Sequence, residues 1–420
     1  MNITVIKRNG LKVNFEPEKI VLAITKAYDG EEVPKYAYSI VKKIEKLAKQ
    51  YDNIIHVEDI QNLIEIHLMK RDKKTAREFI RYRYKREVAR NSSTEFIDAM
   101  TDKLMAKNVE NSNANVDEHS FGGRVGEASN EMMKQYALNH CMSELSRKNH
   151  LNNEIYIHDL SAYAVGMHNC LSMPLDDLLA KGFNTRQVDI RPAGSINTAF
   201  QLVAVLFQLQ SLMQFGGVSA THLDWTMVPY IRRSFYKHYK DGIKYFENEN
   251  IDVNDYQIKV EYTSIDDAFY RKEANPQVYE YAMDMTKREL NQAVEGFYHN
   301  LNSLQSRSGN QLPFSSINYG TCTLIEGRMV LEAILGGSLK GIGKFHRTSV
   351  FPCGIFQCMK GVNQEVNEPN YDMFRLALKS TAKRLYPNYA NCDWSGNAGY
   401  DRNDPRTYFS TMGKCKLQLM

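Results

Sequence analysis

The sequence predicts an α/β protein in two parts: a β-hairpin with four helices over residues 1–93, then a larger α/β barrel or wound sheet over 94–420. Three observations predict it. "ITVIKRNGLKV" alternates apolar and polar residues on both sides of Asn9-Gly10, a dipeptide suited to a tight hairpin turn. Short apolar runs with strand character alternate with long helical periods through the larger part, as in α/β folds. The stretch from Asn197 to Gln214 is apolar nearly all round, which suits a helix buried among other elements.

The elements follow in order. Pro17 opens a first helix carrying Ile20, Ala23, Ile24 and Ala27 at helical spacing, ended by Gly30. A second helix carries Ala37, Ile40, Val41, Ile44 and Leu47, and a third Val57, Ile60, Leu63 and Ile64. The fourth runs from about Lys73 to Arg90 with Ala76, Phe79 and Ile80 inward, and "RNSSTEF" then supplies a stop and a fresh N-cap. Beyond it, "IYIHDL" (155–160), "NCLSMPL" (169–175), "FSSINYGT" (314–321) and "FPCGIFQC" (351–358) read as strands, and Gly216-Gly217 ends the 197–214 helix.

Composition narrows the function classes. The formal charge of +4 is near neutral for 420 residues, and 43% hydrophobic with 24% charged content is ordinary for a globular chain. Residues 70–90 nevertheless hold ten Lys/Arg against three acids, so that window is +7 and the rest −3. A basic amphipathic helix serves as a solvated face, a nucleic-acid patch or a wall of a polyphosphate pocket. No uncharged stretch is apolar enough to cross a bilayer, and the first residues lack a signal-peptide core, so no membrane is expected. Seven cysteines without a C-x-x-C point to reduced thiols in the cytoplasm and to no zinc site within this chain.

"VIKRNG" followed by "EKI" sets Lys7, Arg8 and Lys19 around a glycine-bearing turn near a helix start. Phosphates suit such a place, with cations, free N–H groups and a positive helix end, and so does an ordinary solvated hairpin. Cys170 on an apolar strand reads by residue type as a small buried hydrophobe.

With "V-x-K-R-x-G", "K-I" and the basic last helix in place, the first 93 residues resemble the ATP-cone, a regulatory nucleotide-binding domain. That resemblance implies ATP and dATP as allosteric effectors, held by Val5, Lys7, Arg8, Lys19 and Ile20. "NANVDEHSFGGRVGEAS" (113–129), "IHDLSAYAVGMHNCLSMPL" (157–175), "LMQFGGVSA" (212–220), "NSLQSRSGNQLPFSSINYGT" (302–321), "FPCGIFQCMKGVN" (351–363) and "NYDMFRLALKSTAKRLYPNYANCD" (370–393) come in one order. Together they resemble the anaerobic, glycyl-radical (class III) ribonucleotide reductases, over essentially the whole chain to Gly413.

The resemblance implies a ten-stranded α/β barrel of two antiparallel halves, here incomplete, with a finger loop through its middle. It implies reduction of ribonucleoside triphosphates to their 2′-deoxy forms, with formate or a thiol system as reductant. A thiyl radical at the loop tip takes the ribose 3′-hydrogen, and a cysteine on the first strand delivers hydrogen from the other side. "NCL" matches that second position, which makes Cys170 the principal catalytic residue and Asn169 its neighbour at the sugar. Arg307, Gln311 and Asn318 are the expected polar groups of the substrate pocket, or else partners of barrel backbone. A radical-SAM iron–sulfur activase is the implied partner, with a homodimer or a complementary carboxy-terminal chain, and nucleic acid is not.

At the loop tip the family reads Thr-Met-Gly-Cys-Arg-Thr, whereas here Thr411, Met412 and Gly413 are followed by Lys414, so Cys415 stands one place late. The chain is therefore expected to be a front portion whose glycyl radical and four-cysteine zinc site belong to a separate back portion. Cys322 stands where an acid is expected after "GT". The competing reading is a non-catalytic regulatory or assembly chain that docks a complementary one. A glycyl-radical lyase lacks the cone, and a cone-type repressor would need zinc-ribbon cysteines before residue 141.

Overall fold

A computed structural model describes the chain except residues 1–2, 9, 29–31, 105–119, 167–168, 215, 247–259, 268–269, 271–274, 308–309, 395–398 and 413–420, and for 89–104 it describes the helix alone. Two compact units result, Met1–Asp102 and Lys103–Met420.

In the first unit, β1 (Thr4–Ile6) pairs antiparallel with β2 (Lys12–Asn14), with Val5 opposite Val13. Gly10 adopts φ +79°, the left-handed backbone that glycine adopts without penalty. α1 (Pro17–Ala27) and α2 (Tyr36–Gln50) follow, and β3 (Ile54–His56) then pairs parallel with β1, setting Ile55 beside Val5. The sequence reading missed this third strand, because three residues abutting a helix show no period of their own. α3 (Val57–Arg71) and α4 (Lys73–Leu104) complete the unit. Ile24, Ala37, Ile40, Ile44, Ile64, Leu68, Ala76 and Phe79 form one core at the spacing expected.

Two expectations fail in α4. Ile80 is 38% exposed, since Thr75, Ala76 and Phe79 already fill the inward face and the next residue is turned about 100° away. "RNSSTEF" does not stop the helix, which continues to Leu104 through the 93/94 boundary. Serine and threonine lose only fractions of a kcal/mol in a helix interior, on the order of 0.5 each, and no glycine or proline stands there.

The second unit opens with α5 (Phe121–Tyr136), a π-helical turn Ala137–Cys141, and α6 (Glu144–Leu151). The "IYIHDL" strand is absent. Asp159 takes a left-handed conformation (φ 56°), which breaks an extended run, and a 3₁₀ turn Leu160–Ala162 follows. β4 (Leu171–Ser172), α7 (Leu175–Lys181), the small ribbon β5 (Phe183–Asn184) and β6 (Asp189–Ile190), and α8 (Ile196–Met213) come next. Then follow β7 (Val218–Ala220), α9 (Leu223–Thr226), α10 (Val228–Phe246), α11 (Pro276–Ser303), β8 (Ser315–Tyr319), α12 (Ile325–Lys340), β9 (Cys353–Cys358), α13 (Tyr371–Arg384) and β10 (Asn388–Asn391).

The main sheet is wholly parallel, in the order β4-β7-β8-β9-β10. Each new strand joins the same advancing edge, so there is no reversal point of a doubly wound sheet. Five parallel strands equal one half of the barrel implied by resemblance. α8, α10, α11 and α12 pack together over a core that includes Phe200, Phe207, Phe235 and Phe297. Ser219 pairs with Ser316, and Asn318 with Ile355, so Ser219, Ser316, Asn318 and Gln357 share one sheet face, all buried. A buried face lined by hydroxyls and amides needs partners for them. Among the described residues no helix is long and apolar enough to cross a membrane.

Candidate active site

A cavity of about 1240 Å³ opens at the amino ends of β4, β7, β8 and β9. Asn169, Cys170, Arg307 and Gln311 all line it, so four residues expected at a reaction centre come together.

Cys170 stands one residue before β4, where the ladder to β7 begins. Leu171 N–H donates to the Gly217 carbonyl at 3.0 Å, and Gly217 N–H donates to Cys170 Sγ at 3.4 Å. The sulfur lies 3.7 Å from Asn169 Oδ1. Gly216 presses on the same segment: a Cβ there would stand 1.8 Å from the Asn169 carbonyl oxygen. Only a residue without a side chain permits that approach.

Arg307 and Gln311 form an isolated antiparallel bridge, and Arg307 Nη1 donates to Gln311 Oε1 at 2.5 Å. The guanidinium also lies 3.9 Å from the centre of the Phe314 ring, within cation–π range. Burial pulls Arg307 down to about 10, against the opposing pull of Asp159 and Cys170, and leaves it cationic at neutral pH. Asp159 in turn pairs with His158. Across the cavity, α5 contributes Glu127, Asn130 and Lys134, and is tied to the 307–311 turn where Asn310 donates to the capping Ser120 hydroxyl at 2.9 Å. The lining thus offers Lys134 and Arg307 as fixed cations against Glu127 and Asp159.

Asn318 requires a correction. It is fully buried and does not line the cavity; its amide nitrogen donates to Ser219 Oγ, the Ala220 carbonyl and the Thr411 carbonyl. These bonds match the other expectation for it, a partner of barrel backbone. Cys415 lies outside the described residues, whereas Ser410, Thr411 and Met412 reach the cavity wall. Cys322 is buried against Gly327, and burial and the nearby Asp224 push its thiol well up.

Several lining groups escaped the sequence reading. Glu127, Asn130 and Lys134 fall on one helix face at i, i+3 and i+7, a polar stripe that periodicity alone could have marked. Gly217 was read only as a helix terminator, and Cys353, whose thiol lies 3.4 Å from the Tyr386 hydroxyl, only as strand.

In the first unit, Val5 and Ile20 are core residues, while Lys7, Arg8 and Lys19 are exposed. Arg8 pairs with Glu58, which also takes Arg83 at 2.5 Å; Arg83 reaches Glu65 at 2.7 Å. Burial raises the Glu58 carboxyl, but the two arginines outweigh it and hold it below its ordinary range. Of the five expected nucleotide contacts only Lys19 lines the cleft of about 400 Å³ between α1 and α4, with Lys26, Arg81, Lys85, Phe79 and Tyr82.

Known proteins resemble this chain in sequence. The family model described as anaerobic ribonucleoside-triphosphate reductase matches residues 112–420, and the ATP cone domain matches residues 3–88. The anaerobic ribonucleoside-triphosphate reductase of Haemophilus influenzae is 29% identical over 399 residues, covering 93% of this chain and 52% of that protein. Its Escherichia coli counterpart is 29% identical over 394 residues, covering 93% and 51%. The chain therefore spans about half the length of these relatives. The crystal structure of the anaerobic ribonucleotide reductase from Thermotoga maritima with dATP and CTP aligns at a TM-score of 0.46 and 14% identity, over 74% of this chain and 50% of that one. On the match over residues 112–420, the chain belongs to the anaerobic ribonucleoside-triphosphate reductase family, and an ATP cone precedes that region.

Proposed function

We propose that the cavity around Cys170 is where ribonucleoside triphosphates are reduced to 2′-deoxyribonucleoside triphosphates, in the cytoplasm and without oxygen. The observation that carries it is the convergence of Asn169, Cys170, Arg307, Gln311, Thr411 and Met412 on one cavity. Cys170 Sγ, held by the Gly217 N–H, is the hydrogen donor to the sugar. Asn169 holds a ribose hydroxyl beside it, and Arg307 with Gln311 fixes a polar edge of the nucleotide. Phe314 keeps water from the guanidinium.

A glycyl radical, installed by a radical-SAM activase and held outside the described residues, supplies the oxidising equivalent that starts the reaction. Formate or a thiol system closes the electron balance. The chain acts as a homodimer or together with a complementary carboxy-terminal chain. The module before the barrel, through α4, binds ATP or dATP, with Lys7, Arg8 and Lys19 facing phosphate and Val5 and Ile20 shaping the site from beneath. An effector acts there only through unequal affinity for active and inactive states.

The test is anaerobic turnover by the chain assembled with a relative's carboxy-terminal portion, activase, S-adenosylmethionine and formate. Cys170→Ala is expected to abolish deoxynucleotide formation while CTP binding persists. Turnover by the C170A assembly at the parent rate would refute the assignment.

A further inference from the structure

We propose that Asn318 and Gln357 are positioning residues that fix the register of segment 409–412, and so set how far Thr411 and Met412 reach into the cavity that Cys170 lines. The inference rests on the reading of that cavity as the reduction site, but its physical part stands on geometry alone.

Both side chains are fully buried amides on the same face of neighbouring strands β8 and β9. An apolar side chain would be the ordinary occupant of such a position, since an unpaired buried amide is destabilising. Each amide nitrogen instead donates to the passing backbone, and the Asn318 oxygen also accepts from it, whereas Gln357 Oε1 has no partner among the described residues. Thr411 N–H donates to Asn318 Oδ1 at 3.0 Å, and Asn318 Nδ2 donates to the Thr411 carbonyl at 3.0 Å. Gln357 Nε2 donates to the Phe409 carbonyl at 2.8 Å and to the Thr221 carbonyl at 3.2 Å.

A primary carboxamide presents an acceptor oxygen beside an NH2 with two donor hydrogens, so one edge of it matches the donor–acceptor pair of a peptide group and a further N–H is left over. Asn318 therefore grips both polar groups of Thr411 as a neighbouring strand would, while Ser219 and the Ala220 carbonyl hold its nitrogen in place. The gripped residues, 409 and 411, are two apart, the spacing at which an extended chain presents the same side. A one-residue slip would offer the clamps the groups of 408 and 410 instead. Below the clamps, the segment is anchored by Tyr408 packed with Met359 and Cys392, and by Phe409 edge-on to Trp394 at 5.8 Å. Above them, Met412 lines the cavity.

Hydrogen exchange of the Thr411 amide in the 420-residue chain reads the clamp directly. In Asn318→Leu, which loses both donor and acceptor, exchange at Thr411 is expected to quicken at least tenfold, while Ile317 and Phe356 in the flanking strands keep their protection. Asn318→Asp, read at a pH low enough to keep the buried carboxyl protonated, retains the acceptor and one donor toward the Thr411 and Ala220 carbonyls and should restore protection at Thr411. A merely structural role predicts loss of protection across β8 and β9 together, with no rescue by N318D. Unchanged Thr411 exchange in N318L, or loss shared by the whole sheet, overturns the proposal. Should N318L fail to fold, Thr411→Pro removes the gripped N–H from the other partner. Acrylamide quenching of Trp394 in a Trp225→Phe background is then expected to rise at least twofold, and no rise overturns it. These readouts need no turnover, so a failed reductase assignment and a failed clamp remain distinguishable.

Discussion

Gly217 donates its backbone N–H to the sulfur of Cys170 at 3.4 Å, while its neighbour Gly216 leaves no room for a side chain against Asn169. The glycine pair thus places the thiol. Gly216→Ala forces the Asn169 carbonyl to move. Overpacking of this kind costs about 1–3 kcal/mol. Urea unfolding of G216A should show that loss, and Cys170 alkylation by iodoacetamide should change at least threefold. An unaltered midpoint with an unaltered alkylation rate would remove the glycine pair from the account.

Arg307 is held by Gln311 and by the Phe314 ring, two contacts suited to a planar guanidinium. An ammonium of the same charge does not reproduce them. Arg307→Lys is expected to weaken CTP binding roughly tenfold, about 1.4 kcal/mol, by equilibrium titration. Equal affinity would reduce Arg307 to a generic positive charge.

In the cone, Glu58 pairs with Arg83 and with Arg8, the latter one of the cations proposed to face phosphate. Glu58→Gln removes the competing charge and should tighten binding of a fluorescent ATP analogue about three- to tenfold, more so at low salt. Weaker binding would show that the network builds the site and does not compete with it.

Asp176 receives His222 Nε2 at 2.8 Å and the Thr226 hydroxyl at 2.6 Å. Burial pushes its carboxyl up, but His222 and Thr226 outweigh that and hold it below the ordinary 3.8. A depressed folded-state value means stability that is fully present above the unfolded-state value of about 3.8 and is lost as pH falls from there through the folded-state value. The Asp176 side chain is 46% exposed, so solvent screens the pair, and Asp176→Asn should be only about 0.3–0.5 kcal/mol less stable than the parent at pH 7, with the gap closing below about pH 4. Urea unfolding across pH 3–7 checks this, and a gap that does not depend on pH contradicts it.

Much of this was legible in the sequence because periodicity reports local burial. The apolar stripes of α1 to α3, the all-round apolar α8, and the strands β8 and β9 needed no tertiary information. Cys170, Asn169, Arg307 and Gln311 were picked from motif strings, and the fold brings them to one cavity. What stayed hidden depends on partners distant in the chain. β3 exists because Ile55 meets Val5, and Asn318 is spent on Thr411, ninety-three residues away. "IYIHDL" has the composition of a strand, yet no strand partner among the described residues and a left-handed Asp159 at its end.

The central claim is that a ribonucleotide occupies the cavity beside Cys170. The most direct measurement is the alkylation rate of each cysteine in the 420-residue chain, by mass spectrometry, with and without CTP. Saturating CTP is expected to slow labelling of Cys170 at least tenfold and to leave the exposed Cys141 unaffected. Equal labelling of Cys170 in both samples, with CTP shown to be bound, would contradict it.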